Sequence, residues 1–170
     1  LSGRADQSSM FGGDKQVALN GALGLGWNIS NEKFMQPVAA IDFLRLRASF
    51  GTTGNSRIGS YASRGLYDLN NVTYGGQMSA TPSSSAAENP DLGWETNIKF
   101  NFGFDLNAFN RLRLVLDLYR NNIRNLITDI SVPLETGYGK MPVNSGNMYN
   151  QGLDLSIAYQ WLKQSKITWN

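Results

Sequence analysis

Residues 97–107 read NIKFNFGFDLN, and their alternation decides the fold class. Ile98, Phe100, Phe102, Phe104 and Leu106 interleave with Asn97, Lys99, Asn101, Gly103, Asp105 and Asn107. A helical period would scatter that apolar set around its axis, whereas a strand places it on one face. Two settings satisfy such a strand. In a soluble antiparallel β-sandwich the phenylalanines meet a second sheet and the polar residues meet water. In a membrane barrel the phenylalanines meet lipid and the polar residues meet a hydrated lumen.

The same period recurs along the chain. In VALNGALGLGWNI (17–29) the odd positions Val17, Leu19, Leu23, Leu25, Trp27 and Ile29 oppose Ala18, Asn20, Ala22, Gly24, Gly26 and Asn28. In LRLRASFG (44–51) Leu44, Leu46, Ala48 and Phe50 oppose Arg45, Arg47 and Ser49. The opening strand extends back to Trp94. Leu112, Leu114, Leu116 and Leu118 share one side of 111–119, and Leu153, Leu155, Ile157, Tyr159 and Trp161 share one side of 152–161. A further strand is expected to begin near Ile167 and Trp169. The pattern therefore predicts five full strands and part of a sixth.

The connections are uneven. Hairpin-sized links are expected at 107–111 and 162–166, and an intermediate one with a short helical turn at 30–42. Loops are expected at about 1–15, 52–93 and 131–149, the latter two rich in Gly, Ser, Asn, Tyr and Pro. Loops beyond about 12–15 residues are uncommon in compact domains and are usually functional. Short turns at one end with long loops at the other is the habit of outer-membrane barrels. Trp27, Trp94, Tyr159 and Trp161 stand toward strand ends, where an interfacial aromatic girdle would place them.

Composition removes several classes of chemistry. The chain of 170 residues carries 15 Lys plus Arg against 13 Asp plus Glu, a net charge of only +2, and no run of like charge suggests a nucleic-acid partner. With no cysteine and no histidine, thiolate or imidazole metal sites and Ser-His or Cys-His nucleophiles are excluded. No apolar run approaches the roughly 20 residues of a membrane helix. The mean hydropathy of −0.30 does not argue against a barrel, because lumen-facing residues dilute the average. The opening LSGRADQSSMFGG and the closing KITWN, which falls within a strand-like alternation, suggest an internal piece of a longer protein.

Other motifs carry little chemistry. Asn89-Pro90-Asp91 is a turn former that ends the long loop, because proline fixes its own φ and the flanking side chains bond back to nearby amides. Asp91 and Glu95 form no recognisable acid–base pair. The glycines of GALGLG (21–26) precede no helix, so a small-residue strand face explains them better than a phosphate loop. No catalytic, cofactor-binding or metal-binding residue is expected.

The order of several segments is more specific than periodicity. RADQSSMFG (4–12), LGLGWNISNEKFM (23–35), LRLRASFGTTGNSRIGSYAS (44–63), NPDLGWETN (89–97), LDLYRNNIRNLI (116–127) and GNMYNQGLDLSI (146–157) follow one another at spacings that span nearly the whole chain. This succession resembles the C-terminal part of the barrel in SusC/RagA-type TonB-dependent outer-membrane transporters of Bacteroidetes. Gln7 and Met10 depart from the basic or small residues frequent there, within an expected loop.

The resemblance implies an all-β, antiparallel transmembrane β-barrel of about 22 strands, the size class with a plugged lumen. Residues 1–170 would supply about six strands of it. It also implies nutrient import across the cell outer membrane, with oligosaccharide or peptide as substrate and a SusD-type surface lipoprotein as lid. The TonB complex would engage an N-terminal region outside these residues, and outer-membrane lipid would surround the wall. Binding determinants are expected on the loop SYASRGLYDLNNVTYGG (60–76), where Tyr61, Tyr67 and Tyr74 stand beside Arg64 and Asp68. Aromatic plates with neighbouring hydrogen-bonding groups suit a sugar, a peptide or the lid. The alternative reading is a soluble β-sandwich binding or adhesion module.

Overall fold

A computed structural model describes residues 1–83 and 86–161. The strands are β1 (Ser2–Gln7), β2 (Val17–Asn28), β3 (Ile41–Asn55), β4 (Tyr67–Tyr74), β5 (Gln77–Pro82), β6 (Glu95–Ala108), β7 (Leu112–Arg124), β8 (Ile127–Ser131), β9 (Lys140–Asn144) and β10 (Asn147–Tyr159). Six of them form one sheet in the order β1-β2-β3-β6-β7-β10, antiparallel throughout, and β4-β5 and β8-β9 are separate hairpins. The sheet is a meander: β2–β3 and β6–β7 are joined at one end, and β1–β2, β3–β6 and β7–β10 at the other, where the two longest connections lie.

Register carries the alternation across the sheet. Leu25, Ala48, Phe102, Leu118 and Leu153 lie in one cross-strand row, and Trp27, Leu46, Phe104, Leu116 and Leu155 in the next. Every apolar residue of the opening stretch from Phe100 to Leu106 thus shares a face with the apolar sets of four other strands. A one-residue slip would reverse that arrangement, so the rows fix the pairing.

Among the described residues, nothing covers this apolar face. Leu25, Leu153, Leu155 and Ile157 are 66%, 58%, 55% and 60% exposed, and the only buried hydrophobic residues among those described are Phe11, Leu92 and Ala108. A soluble sandwich would bury these leucines beneath a second sheet about 10 Å away. The described residues contain no such layer, so the structure lends the sandwich alternative no support.

The opposite face is held by charge. Arg47 Nε donates to Asp105 Oδ2 at 2.8 Å and its Nη2 to Asp117 Oδ1 at 3.1 Å, so one guanidinium ties β3 to β6 and β7. Gly103, on β6 between them, leaves the path open; a Cβ there would sit 2.6 Å from Arg47 Cζ and 2.8 Å from Asp117 Oδ1. Gly103→Ala is therefore expected to lower thermal stability by about 1 kcal/mol, a small value because the pair is part-exposed and screened. The loss should largely vanish in an Arg47→Ala background, where the nearest atoms are gone, a double-mutant cycle that isolates the contact.

Several expected loops are more ordered than alternation alone suggests. The expected loop at 1–15 contains β1, whose SGRADQ sequence has no apolar alternation and which joins the sheet through main-chain pairing to 17–22 of β2. Of the loop expected at 52–93, residues 52–55 continue β3 and 67–82 form the β4-β5 hairpin. That hairpin turns at Gly75 and Gly76, both at positive φ (62° and 80°), the backbone a two-residue hairpin turn requires. The loop expected at 131–149 gives the end of β8, all of β9 and the start of β10. The link between β2 and β3 holds short 3-10 turns at Ile29–Asn31 and Lys33–Met35, in keeping with the expected helical turn. The strand expected near Ile167 and the link at 162–166 lie outside the described residues.

The β6-β7 turn is unusual in residue type. Phe109 and Asn110 both adopt positive φ, 57° and 52°, a backbone that a bulky residue seldom takes. Neighbouring groups hold it: Phe109 N–H donates to the Ala40 carbonyl at 2.9 Å and Asn110 N–H to Asp42 Oδ2 at 2.6 Å. Two short links thereby brace each other at one end of the sheet.

Candidate functional site

Among the described residues, irregular structure with a buried centre lies at the long-loop end. Its nucleus is Phe11, 2% exposed, and Leu92, fully buried. The Phe11 and Trp94 rings lie 4.8 Å apart, and the Trp94 indole N–H donates to the Gln16 carbonyl at 3.0 Å. Trp94 is thus a packing residue of the loops, and of the four expected girdle aromatics only Trp27, Tyr159 and Trp161 are largely exposed. Those three stand toward the short-link end of their strands.

The Asn-Pro-Asp turn joins three loops at this nucleus. The Asn89 side chain accepts from Asp91 N–H at 3.1 Å and donates to the Pro142 carbonyl at 2.7 Å. Asn144 accepts from Gly93 N–H at 2.7 Å and donates back to the Gly93 carbonyl at 2.8 Å. Gly12 N–H donates to the Leu92 carbonyl at 3.0 Å. The β1-β2 loop, the base of the 56–94 loop and the β8-β9 hairpin are therefore one hydrogen-bonded unit.

Above it a cavity of about 410 Å³ is lined by Arg57, Tyr61 and Arg64 from the long loop and by Asp129, Lys140 and Pro142 from the β8-β9 hairpin. A second of about 340 Å³ adds Ser9 and Met10 beside Tyr61 and Arg64. Lys140 pairs with Asp129 at 2.7 Å, while among the described residues neither Arg57 nor Arg64 has a carboxylate partner. The lining consequently leaves two cations beside Tyr61, a residue 59% exposed on a backbone at φ 63°.

The five residues singled out in the sequence separate into two groups. Tyr61 and Arg64 line the same cavities. Tyr67 begins β4, opposite Pro82, and is hydrogen-bonded to Tyr138. Burial, followed by the neighbouring Tyr67 and Glu88, pushes the Tyr138 phenol up, so its neutral form is the one this contact favours. Asp68 lies on β4 opposite Thr81, and Tyr74 ends the strand opposite Gln77, away from Tyr61 in the chain. Sequence reasoning missed Arg57, Asp129 and Lys140. No local pattern pointed to them, since the Asp129–Lys140 pair is made only by the pairing of β8 with β9.

No group of histidine, cysteine or carboxylate residues among those described could hold a metal ion. The two-faced sheet and its loop cluster are instead matched by known proteins. The family model described as "TonB dependent receptor-like, beta-barrel" matches residues 1–170. The chain is 36% identical over 167 residues to TonB-dependent receptor P39 of Formosa agariphila, covering 98% of this chain and 16% of that protein. To TonB-dependent receptor SusC of Bacteroides thetaiotaomicron it is 31% identical, covering 98% of this chain and 18% of that one.

Among solved structures, the RagAB peptide importer in its closed-closed state superposes with a TM-score of 0.83 at 39% identity, over 96% of this chain and 18% of that chain. The siderophore receptor PirA from Pseudomonas aeruginosa, at 15% identity and a TM-score of 0.53, shares the fold alone. The chain spans about one sixth of the length of the curated relatives cited, and those relatives are receptors, not enzymes. It belongs to the TonB-dependent receptor β-barrel family, with the SusC/RagA-type members as its kin.

Proposed function

We propose that this chain forms part of the wall and surface loops of an outer-membrane importer that takes up oligosaccharides or peptides. The observation that carries the reading is the uncovered apolar face backed by a charged one, the arrangement of a wall between lipid and a hydrated lumen. In this reading a SusD-type surface lipoprotein closes over the long-loop end. The TonB complex acts on an N-terminal plug region outside these residues, and the wall itself is passive.

Tyr61 and Arg64, with Arg57 beside them, face the substrate or the lid. An unpaired guanidinium binds a carboxylate through two parallel hydrogen bonds, and a phenol stacks on a sugar or peptide plane. Tyr67, Asp68 and Tyr74 serve the same end less directly, by shaping the hairpin that flanks the cavity.

The test is uptake by cells carrying the intact transporter with Tyr61→Ala and Arg64→Ala together, given labelled oligosaccharides and labelled peptides in parallel. Loss of a central aromatic–arginine pair is expected to lower uptake at limiting substrate about tenfold, with barrel assembly unchanged as judged by heat-modifiable migration. Unchanged uptake of both substrate classes in a correctly assembled barrel would contradict the assignment.

A further inference from the structure

The apolar face is not uniformly smooth, and a shallow hollow on it among the described residues ends at a cation. A cavity of about 440 Å³ opens on it, lined by Leu25, Ala48, Phe50, Phe100, Leu118 and Arg120 among others. Its origin is a size mismatch between two rows in register. Leu23, Phe50, Phe100 and Arg120 form one row and Leu25, Ala48, Phe102 and Leu118 the next. Ala48 alone among these eight is small, so the wall dips there between large neighbours. The Phe50 and Phe100 rings, 4.9 Å apart, form one bank. The hollow crosses four strands, about 14 Å at the usual strand spacing.

Arg120 sits at the β7 end of this hollow, where the apolar positions Leu112 to Leu118 give way to Arg120 and Asn122. Its guanidinium carbon lies 5.3 Å from the centroid of the Tyr149 ring, and its Nε donates to Asn122 Oδ1 at 3.1 Å. Among the described residues it has no carboxylate partner. Tyr149 and Asn122 hold the side chain on the face that meets lipid while leaving most of its donors unused. A cation on a lipid-facing wall is tolerated near the headgroups and disfavoured at mid-depth, so Arg120 marks the headgroup level.

The geometry points to a bound membrane lipid: an acyl chain in the hollow over Ala48 and an anionic phosphate headgroup on Arg120. The inference rests on the membrane reading given above. It does not depend on what the transporter carries. A cation at one end of an apolar groove complements an amphiphile that has an anion at one end of a hydrocarbon chain. The guanidinium fork matches phosphate oxygens, and the cation–π contact keeps it aimed.

Native mass spectrometry of the intact, detergent-solubilised transporter tests this, titrating dioleoylphosphatidylglycerol against dioleoylglycerol, which has the same chains and no phosphate. The wild type is expected to retain the anionic lipid about tenfold better than the neutral one. Arg120→Gln should remove that preference while keeping the fold. Ala48→Leu, which fills the hollow on a face with room for it, should weaken retention of both lipids. Equal retention of the two lipids by wild type and Arg120→Gln would overturn the headgroup assignment, and unchanged retention in Ala48→Leu would overturn the groove. A transporter that stays monodisperse without detergent would instead refute the membrane reading beneath it, and the two failures are thereby distinguishable.

Discussion

Gly12→Ala is expected to disconnect the surface loops from the sheet. The reason is space, not torsion: Gly12 has φ −57° and ψ 156°, which any residue can adopt. A Cβ there would lie 1.6 Å from the Pro90 carbonyl oxygen and 2.7 Å from its carbon. Both atoms belong to backbone, and Pro90 has a fixed φ, so neither side yields by a rotamer change. The strand of hydrogen bonds from Gly12 N–H to Leu92 and from Lys15 N–H to Gly12 would have to part. Phe11 and Leu92 would then be unsealed.

Overpacking of this kind costs about 3 kcal/mol, and here the cost falls on one unit. Amide hydrogen exchange of the intact protein should accelerate at 8–16, 89–94 and 140–144 together, while β6 and β7 stay protected. Uptake should fall with it if the cavity of Tyr61 and Arg64 depends on the same anchorage. Exchange confined to 8–16 would mean that the three loops are not one unit.

Leu155→Arg is the second large expected effect. Leu155 lies on β10, the last strand of the sheet, in register with Leu116 and within the apolar set of that strand. An arginine at the centre of a bilayer's hydrocarbon costs about 2–4 kcal/mol in a barrel wall, and Leu155 has apolar neighbours on the same face at Leu153 and Ile157. The adjacent position is the control. Ser156 faces the other way, in register with Val115, so Ser156→Arg should be nearly neutral. Folded yield in phospholipid vesicles, followed by heat-modifiable migration after a urea titration, should drop for the first and not the second. Equal effects at both positions would mean that the two faces of β10 do not differ in environment.

Strands with one apolar face were legible because period two leaves a residue-level trace. Phe100, Phe102 and Phe104 show it plainly, and the structure places them in register with Phe50, Ala48 and Leu46 as that trace demands. β1 leaves no such trace, since Arg4, Asp6 and Gln7 are held by main-chain pairing that carries no side-chain signature. The β4-β5 hairpin had a signal in Gly75-Gly76, but it was masked by a long polar surround in which tyrosines read as binding groups. Two of those tyrosines are strand residues of the hairpin. Trp94 shows a different limit: its parity is that of the apolar face, yet it precedes β6 and is captured by Phe11, 83 positions earlier in the chain by their numbers. Parity predicts a face only inside the strand, and tertiary contacts decide what happens at its ends.

The site was legible only as a neighbourhood. Tyr61 and Arg64 are close in sequence and share a cavity, which a local reading can find. Asp129 and Lys140 reach the same cavity from a second hairpin, and no local pattern relates them to residue 61.

In the proposed wall, one face of the sheet meets hydrocarbon and the other meets water. Residues 1–170 contain no cysteine, so once any cysteine elsewhere in the intact protein is replaced by serine, single cysteines placed at each position from 99 to 106 can carry one fluorophore apiece in vesicles. Lipids brominated on their acyl chains quench by contact, and aqueous iodide quenches what water reaches. Strict alternation is expected: bromine quenching at 100, 102, 104 and 106, and iodide quenching or protection from bromine at 99, 101, 103 and 105. Uniform quenching along the strand, or bromine quenching at the odd positions, would contradict it.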